Sequence, residues 1–316
     1  PKPTRIKAEV PHPITGVFFT RDEAEGWQWK RPVGVMVDNH TLARPHHKGI
    51  SRADIVFEAE AEGQIPRLLA IFHSRDVSEV GPVRSARVYF IDWALEFKAY
   101  YAHVGGASTP GPANINDYIQ KNGVLSLNQF RLSTTAYTYS GDITIGNIIL
   151  SHIYYTSTQK LREAGNQIYK NSNRFEQFES FKFKPDAPME KRGDTSPLIL
   201  VFRDNEYKVE WTYDKYTNTY IRFQGGSPHI DKLTNTQIRA KNVIVLKMKG
   251  YPAGDGTGHI LFKTTGEGEA IVYRDGTEIR GKWKRNSIKD RTLLYDNEGK
   301  EIELNRGIIW VEIQRS

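Results

Sequence analysis

The chain changes rhythm between Phe183 and Thr195, where the composition turns to Pro, Asp, Lys and Gly, and that change constrains the fold more than any other feature. Ahead of it, segments with strand-like and helix-like apolar spacing alternate, as they do in α/β folds. Behind it, short alternating segments follow one another between turn residues, the pattern of a β-rich unit. A chain of 316 residues also exceeds the size at which a single core usually stops growing. The expected organisation is α+β. An extended lead-in covers residues 1–30, an N-terminal mixed α/β sheet domain with helices covers 31–190, and a smaller β-rich C-terminal domain covers 191–316.

In the first half, spacing predicts strands over 33–37, 54–62 and 67–74, the last two joined as a hairpin through Gly63-Gln64-Ile65-Pro66. A helix is predicted over 86–98, a strand over 100–106, a short helix over 112–120, and another helix over 156–165 that stops at Gly165. In the second half, strands are expected over 199–202, 207–213, 219–223, 243–248, 270–274, 278–284 and 308–313. Asp275-Gly276 is a two-residue hairpin signal between two of them.

Composition narrows the function classes. Zero cysteines exclude disulfides, thiolate metal sites and cysteine nucleophiles, and fit proteins exported by Gram-positive bacteria. The net charge of +7 is spread along the chain without clustered basic runs, which argues against specific nucleic-acid binding and suits an anionic cell envelope. No apolar run approaches the ~20 residues of a membrane span. The opening Pro-Lys-Pro-Thr-Arg reads as the trimmed edge of a longer precursor.

The most pointed chemical feature is Gly81-Pro-Val-Arg84-Ser-Ala-Arg87, set directly before an apolar segment long enough for a buried helix. A helix N-terminus disfavours cations by roughly 0.3–1 kcal/mol each, so Arg84 and Arg87 require an anion, internal or bound. Alternation along 54–62 supplies one candidate, since it places Ile55, Phe57, Ala59 and Ala61 on one face and Glu58, Glu60 and Glu62 on the other, about 6.6–6.8 Å apart. Those carboxylates either pair with Arg67, Arg84 or Arg87 as a structural network or stay free for a ligand. Arg44, Arg52 and Arg67 fall in the same half and suit phosphate or carboxylate.

The loop 38–49 offers Asp38, His40, His46 and His47 without an established metal-ligand spacing. His103, before Gly105-Gly106, is either a strand-end functional group or a satisfied buried histidine. No nucleophile elbow, phosphate loop or dinucleotide fingerprint occurs, and Gly254-Asp-Gly-Thr-Gly258 reads as a β loop. Arg222-Phe-Gln-Gly-Gly-Ser-Pro-His229 joins a strand to a turn beside aromatic residues that read as core.

Several ordered segments carry a family resemblance: Arg31-Pro-Val-Gly-Val-Met-Val-Asp38-Asn39-His40, Ala43-Arg44-Pro45, Ser51-Arg-Ala-Asp54-Ile-Val-Phe-Glu58, Gly81-Pro-Val-Arg84-Ser-Ala-Arg87, His103-Val-Gly-Gly106 and Ser151-His-Ile-Tyr-Tyr155. With Pro228-His229, Tyr273-Arg-Asp-Gly276 and Gly281-Lys-Trp283 in the second half, the chain resembles the YerB-like family of bacterial lipoproteins over almost its whole length. The resemblance implies a two-domain protein of unknown function, lipid-anchored through its N-terminus to the extracytoplasmic face of the bacterial cell membrane. A weaker similarity is to the LytR-CpsA-Psr phosphotransferases, although Phe72-His-Ser-Arg-Asp76 stands where that family has Ile-Pro-Arg-Asp.

The expected function is binding of an anionic envelope ligand, phosphate or glycan, or of a protein partner. The expected ligand-binding residues are Asp38, Asn39, Arg44, Asp54, Glu58, Arg67, Arg84, Arg87 and His103, with no cofactor and no metal. The alternative is a metal-assisted phosphotransferase or hydrolase acting on envelope pyrophosphates, with Mg²⁺ positioned by Asp54 or Glu58.

Overall fold

The computed structural model of the chain describes residues 8–170, 178–195 and 198–316; the first seven residues of the lead-in lie outside that description. A ten-stranded sheet dominates it. Its order is Leu293–Asp296, Thr277–Arg285, Gly266–Arg274, Asn242–Met248, Ile309–Arg315, Ile55–Glu60, Pro66–Phe72, Val33–Asp38, Tyr100–His103 and Ser126–Asn128. The two sequence halves therefore share one sheet rather than building one each. The join is the last strand, Ile309–Arg315, which runs parallel to Asn242–Met248 on one side and to Ile55–Glu60 on the other. Its near-continuous Ile-Ile-Trp-Val-Glu-Ile run suits a strand covered on both faces, but nothing in the run itself says which neighbours will cover it.

Both faces of the sheet are buried at its centre, and the alternation along 55–60 sorts the side chains between them. Ile55, Phe57 and Ala59 join Leu69 and Ile71 beneath the helix Val88–Glu96. There the rings of Phe57 and Trp93 stack at 5.5 Å. Val56, Leu68 and Ala70 lie on the opposite face with Trp211, Tyr220 and Trp310. That second face is roofed by a five-stranded sheet built on Leu198–Val201, Lys208–Asp214, Thr219–Gln224 and Ser227–Pro228.

Three local features differ from the sequence reading. The lead-in is not simply extended: Val10–Pro11 pairs with Phe18–Phe19, and the helix Arg21–Glu25 follows behind a capping box of Thr20 and Glu23. The helix Thr158–Ile168 runs through Gly165 instead of stopping there. A Cβ at that position would lie 2.7 Å from the Tyr100 ring, so the glycine serves close packing and not termination. The paired strands Tyr137–Ile145 and Ile148–Thr156 had no counterpart in the sequence reading. The Asp275-Gly276 turn is as expected, with φ of 50° and 67°.

Candidate functional site

The two arginines that open the buried helix meet internal carboxylates. Arg87 sits at the N-cap of Val88–Glu96, and its guanidinium forks onto Glu62, with Nε 2.6 Å from Oε1 and Nη2 2.5 Å from Oε2. Its Nη1 donates to the Ala86 carbonyl. Arg67 donates to the same Glu62 carboxylate at 3.2 Å and to the Ser85 carbonyl. Burial alone would raise the Glu62 pKa, but the Arg87 hydrogen bonds and the charges of Arg87 and Arg67 hold it down at about 2. Arg84 pairs with Asp38 at 3.3 Å and donates to Ser151 Oγ. Glu60 takes a different cation, Arg315, at 2.8 Å.

Two further expected site residues are engaged in holding the fold. Asp54 accepts from the backbone N–H groups of His73 and Ser74 and from the Ser74 hydroxyl, fixing the end of the Pro66–Phe72 strand. His103 has one ring nitrogen 2.7 Å from the Gly105 carbonyl and the other 2.8 Å from Ser126 Oγ. Burial lowers its pKa to about 4, which keeps it neutral.

Glu58 leads to a centre that the sequence reading missed. In the parallel register Glu58 lies beside Glu312, and both side chains meet the guanidinium of Arg222. Arg222 Nη2 donates to Glu58 at 2.6 Å and Nη1 to Glu312 at 2.9 Å. All three side chains have no solvent exposure. Trp211 and Trp310 cover the guanidinium at 5.2 and 4.5 Å, and Trp211 Nε1 also donates to Glu312. Burial, then the charge of Glu58, raises the Glu312 pKa to about 8.

From this centre a hydrogen-bonded chain runs back into the first half. Arg222 Nε donates to His229 Nδ1 at 3.0 Å, which leaves the His229 proton on Nε2. That nitrogen lies 2.7 Å from His47 Nδ1, and His47 Nε2 lies 2.6 Å from the Asp38 carbonyl. Donor and acceptor roles thus assign the Nε2–H tautomer to both rings. Burial lowers both pKa values, that of His47 to about 4, as two neutral imidazoles require. Asn39 Nδ2 completes the set by donating to Glu58 at 2.8 Å.

This hydrogen-bonded chain meets a cleft of about 410 Å³ at His229, the cleft being lined among others by Thr41, Arg44, Gln224, Ser227 and Lys232. Arg44 lies over the Tyr207 ring at 4.8 Å and donates to the carbonyls of Asn39 and Glu206. Gly225 makes this approach possible, because a Cβ there would lie 2.8 Å from the Glu206 carbonyl and 3.2 Å from Arg44 Nη1. Arg44 Nη2 is buried without a partner. So are both amide atoms of Gln224, a residue only 4% exposed. Buried polar atoms are rarely left unpaired, and these three belong to two side chains that line one cleft.

Of the nine expected ligand-binding residues, the structure joins Asp38, Asn39 and Glu58 to the back of this cleft and puts Arg44 in its wall. Arg84 reaches it only through Asp38. Arg67, Arg87, Asp54 and His103 have their own partners elsewhere. Among the described residues no group of three or more His, Asp or Glu side chains is placed to hold a metal ion.

Comparison with known proteins agrees with this two-part organisation. Residues 15–173 match the model of the N-terminal domain of DUF3048, a protein family of unknown function, and residues 198–311 match the model of its C-terminal domain. The chain belongs to this family. It is similar to the "Putative lipoprotein YerB" of Bacillus subtilis (strain 168), with 29% identity over 95% of this chain and 85% of that protein. It is also similar to the crystal structure of YerB from Bacillus subtilis, with a TM-score of 0.81 and 26% identity over 98% of this chain and 97% of that one. The YerB-like resemblance read from the sequence is thereby established. Arg44 and Gln224 lie one in each matched domain, so the cleft is built where the two domains of the family meet.

Proposed function

We propose that this DUF3048 protein is an extracytoplasmic lipoprotein that binds an anionic envelope ligand, phosphate or glycan, in the cleft between its two halves. The observation that carries this reading is the unpaired Arg44 Nη2 beside the unpaired Gln224 amide. An incoming oxyanion would accept from the guanidinium and from Gln224 Nε2, while Lys232 adds positive charge at the same cleft. A glycan hydroxyl would donate to Gln224 Oε1, which a bare phosphate leaves unmet. The membrane reading is supported by the YerB relative, which is named a putative lipoprotein.

Binding is tested by calorimetry with inorganic phosphate and with phosphate-bearing glycan fragments of Gram-positive envelopes. Arg44→Ala should weaken binding at least about tenfold, the value of one charge-assisted hydrogen bond, with a cooperative melt retained at a somewhat lower temperature because two carbonyl contacts are lost. Equal affinity in wild type and Arg44→Ala, or binding lost in Arg87→Ala without loss of stability, would move the site away from this cleft. Anchoring is tested separately, by labelling the full precursor with a fatty-acid probe in cells.

A further inference from the structure

A second cleft lies on the folded lead-in and shares no lining residue with the Arg44 cleft. It measures about 480 Å³, and its lining includes His12, Phe18, Trp27, Phe181, Phe183 and Arg306. Its walls are aromatic faces: Trp27 meets His12 at 4.7 Å edge-on, Phe181 meets Phe183 at 6.4 Å, and Arg306 lies 4.6 Å over the Phe18 ring. Phe18 is 41% exposed although it is a large apolar ring.

The polar groups of this cleft are unbalanced toward donors. The Trp27 ring is only 4% exposed, and its Nε1–H is buried with no acceptor. Arg306 adds donors, and Gln28 also lines the cleft. The His12 ring nitrogens are already engaged, while Gln28 brings an acceptor as well as donors. His12 has Thr15 Oγ1 at 3.1 Å on one ring nitrogen and His73 Nδ1 at 3.0 Å on the other. The Ser180 hydroxyl donates to the Pro13 carbonyl at 2.7 Å.

We propose that this aromatic cleft is a binding site for a proline-rich segment of a partner protein in polyproline II conformation. Such a segment matches the cleft group by group. Its proline rings are apolar and stack on aromatic faces, its carbonyls are solvated acceptors without internal partners, and proline brings no N–H donor. Aromatic-walled grooves that hold proline-rich segments use this complementarity. An acyl chain would leave the Trp27 N–H unmet, and the sugar alternative is separated by experiment. The site is independent of the anion-binding reading of the Arg44 cleft.

The test is titration of the full chain with decaproline, followed by tryptophan fluorescence and calorimetry, with chitotetraose as the sugar control. Decaproline binding is expected at micromolar to submillimolar concentration. Phe18→Ala, a change at the exposed rim, should weaken it, and Trp27→Phe should weaken it about tenfold through loss of one hydrogen bond. Gln224→Ala should leave it unchanged. Thermal melting of each variant establishes that the fold survives, and Phe18→Ala decides the matter if Trp27→Phe does not fold. No decaproline binding at millimolar concentration, undiminished binding in both cleft variants, or binding of chitotetraose in place of the peptide would overturn the proposal.

Discussion

Two arginine sites of this molecule look alike in sequence and differ in what the fold leaves them. Arg87 and Arg67 converge on Glu62, and the fork of Arg87 is filled by that carboxylate and the Ala86 carbonyl. Arg44 donates to two backbone carbonyls and keeps Nη2 unmet beside an equally unmet Gln224 amide. The first site is closed and contributes to stability. The second is open and, on the proposed reading, gives up some stability to keep donors for a ligand. An arginine thus indicates binding through the hydrogen bonds it lacks, and the contrast can be tested by removing groups from either side.

The strongest test of closure is at the sheet centre, where Arg222 has no exposure and two glutamates share it. Removing one member of a buried, hydrogen-bonded ion pair costs about 3–5 kcal/mol because the other charge is left without compensation. Arg222→Ala should therefore lower unfolding free energy in urea by about that amount, enough to leave the chain partly unfolded at 37 °C. A loss below about 1 kcal/mol would mean that the centre relaxes or hydrates. Next comes Glu62→Gln, which replaces the shared carboxylate by a neutral amide. The expected loss is about 1.5–3 kcal/mol, the range for hydrogen bonds to charged groups, with no change in phosphate or glycan affinity.

Acid should separate the histidines from the carboxylates. Burial holds the folded pKa of His47 and His103 at about 4 and that of His12 and His73 at about 3, against 6.5 when unfolded. As pH falls below 6.5 the unfolded chain takes up protons that the folded chain refuses, so this contribution is full above 6.5 and declines toward 4. Each group removes up to about 1.4 kcal/mol per pH unit in that window. The Glu62 contribution is lost in the same direction but in a lower window: its folded value of about 2 lies below the ordinary 4.5, so its stabilisation is present above 4.5 and lost between 4.5 and 2. Stability measured between pH 6.5 and 4.5 should consequently fall, and fall less steeply by about one proton in His103→Gln. The raised Glu312 opposes this trend by about one proton, so the decisive reading is the difference between the chains: a slope left unchanged by His103→Gln would show that this ring is protonated in the fold.

The sequence carried the strands of the closed regions well and the open site poorly, for a physical reason. Alternation over 54–62 placed Glu58, Glu60 and Glu62 on one face; the structure keeps Glu58 and Glu60 in the strand Ile55–Glu60, but Glu62 falls in the turn after it and swings to Arg87. What the alternation could not show was that Glu58 faces Arg222 and Glu312, which are 164 and 254 positions away. A signal was present: Glu312 interrupts an otherwise apolar strand, Ile-Ile-Trp-Val-Glu-Ile, and a carboxylate in such a run demands a buried cation. Arg222 and His229 stood in a segment read mainly through its aromatic neighbours. The helix through Gly165 was misjudged because a glycine that ends a helix and one that admits a Tyr100 ring are the same letter.

The smallest expected effect bears most directly on the comparison. If the Gln224 amide is unmet in the free protein, replacing it by an apolar side chain of similar length should cost nothing, because desolvation of two unpaired polar atoms disappears with them. Gln224→Met is expected to leave stability unchanged or to raise it by up to about 1 kcal/mol, while anion binding weakens. The paired measurement is a urea titration of the variant with and without ligand. A rise in stability with a loss of ligand stabilisation would identify Gln224 as a group held ready for its partner at the expense of the fold. A drop of more than about 1 kcal/mol would mean that the amide is already satisfied, and would put the Arg44 cleft in the same class as Arg87 and Glu62.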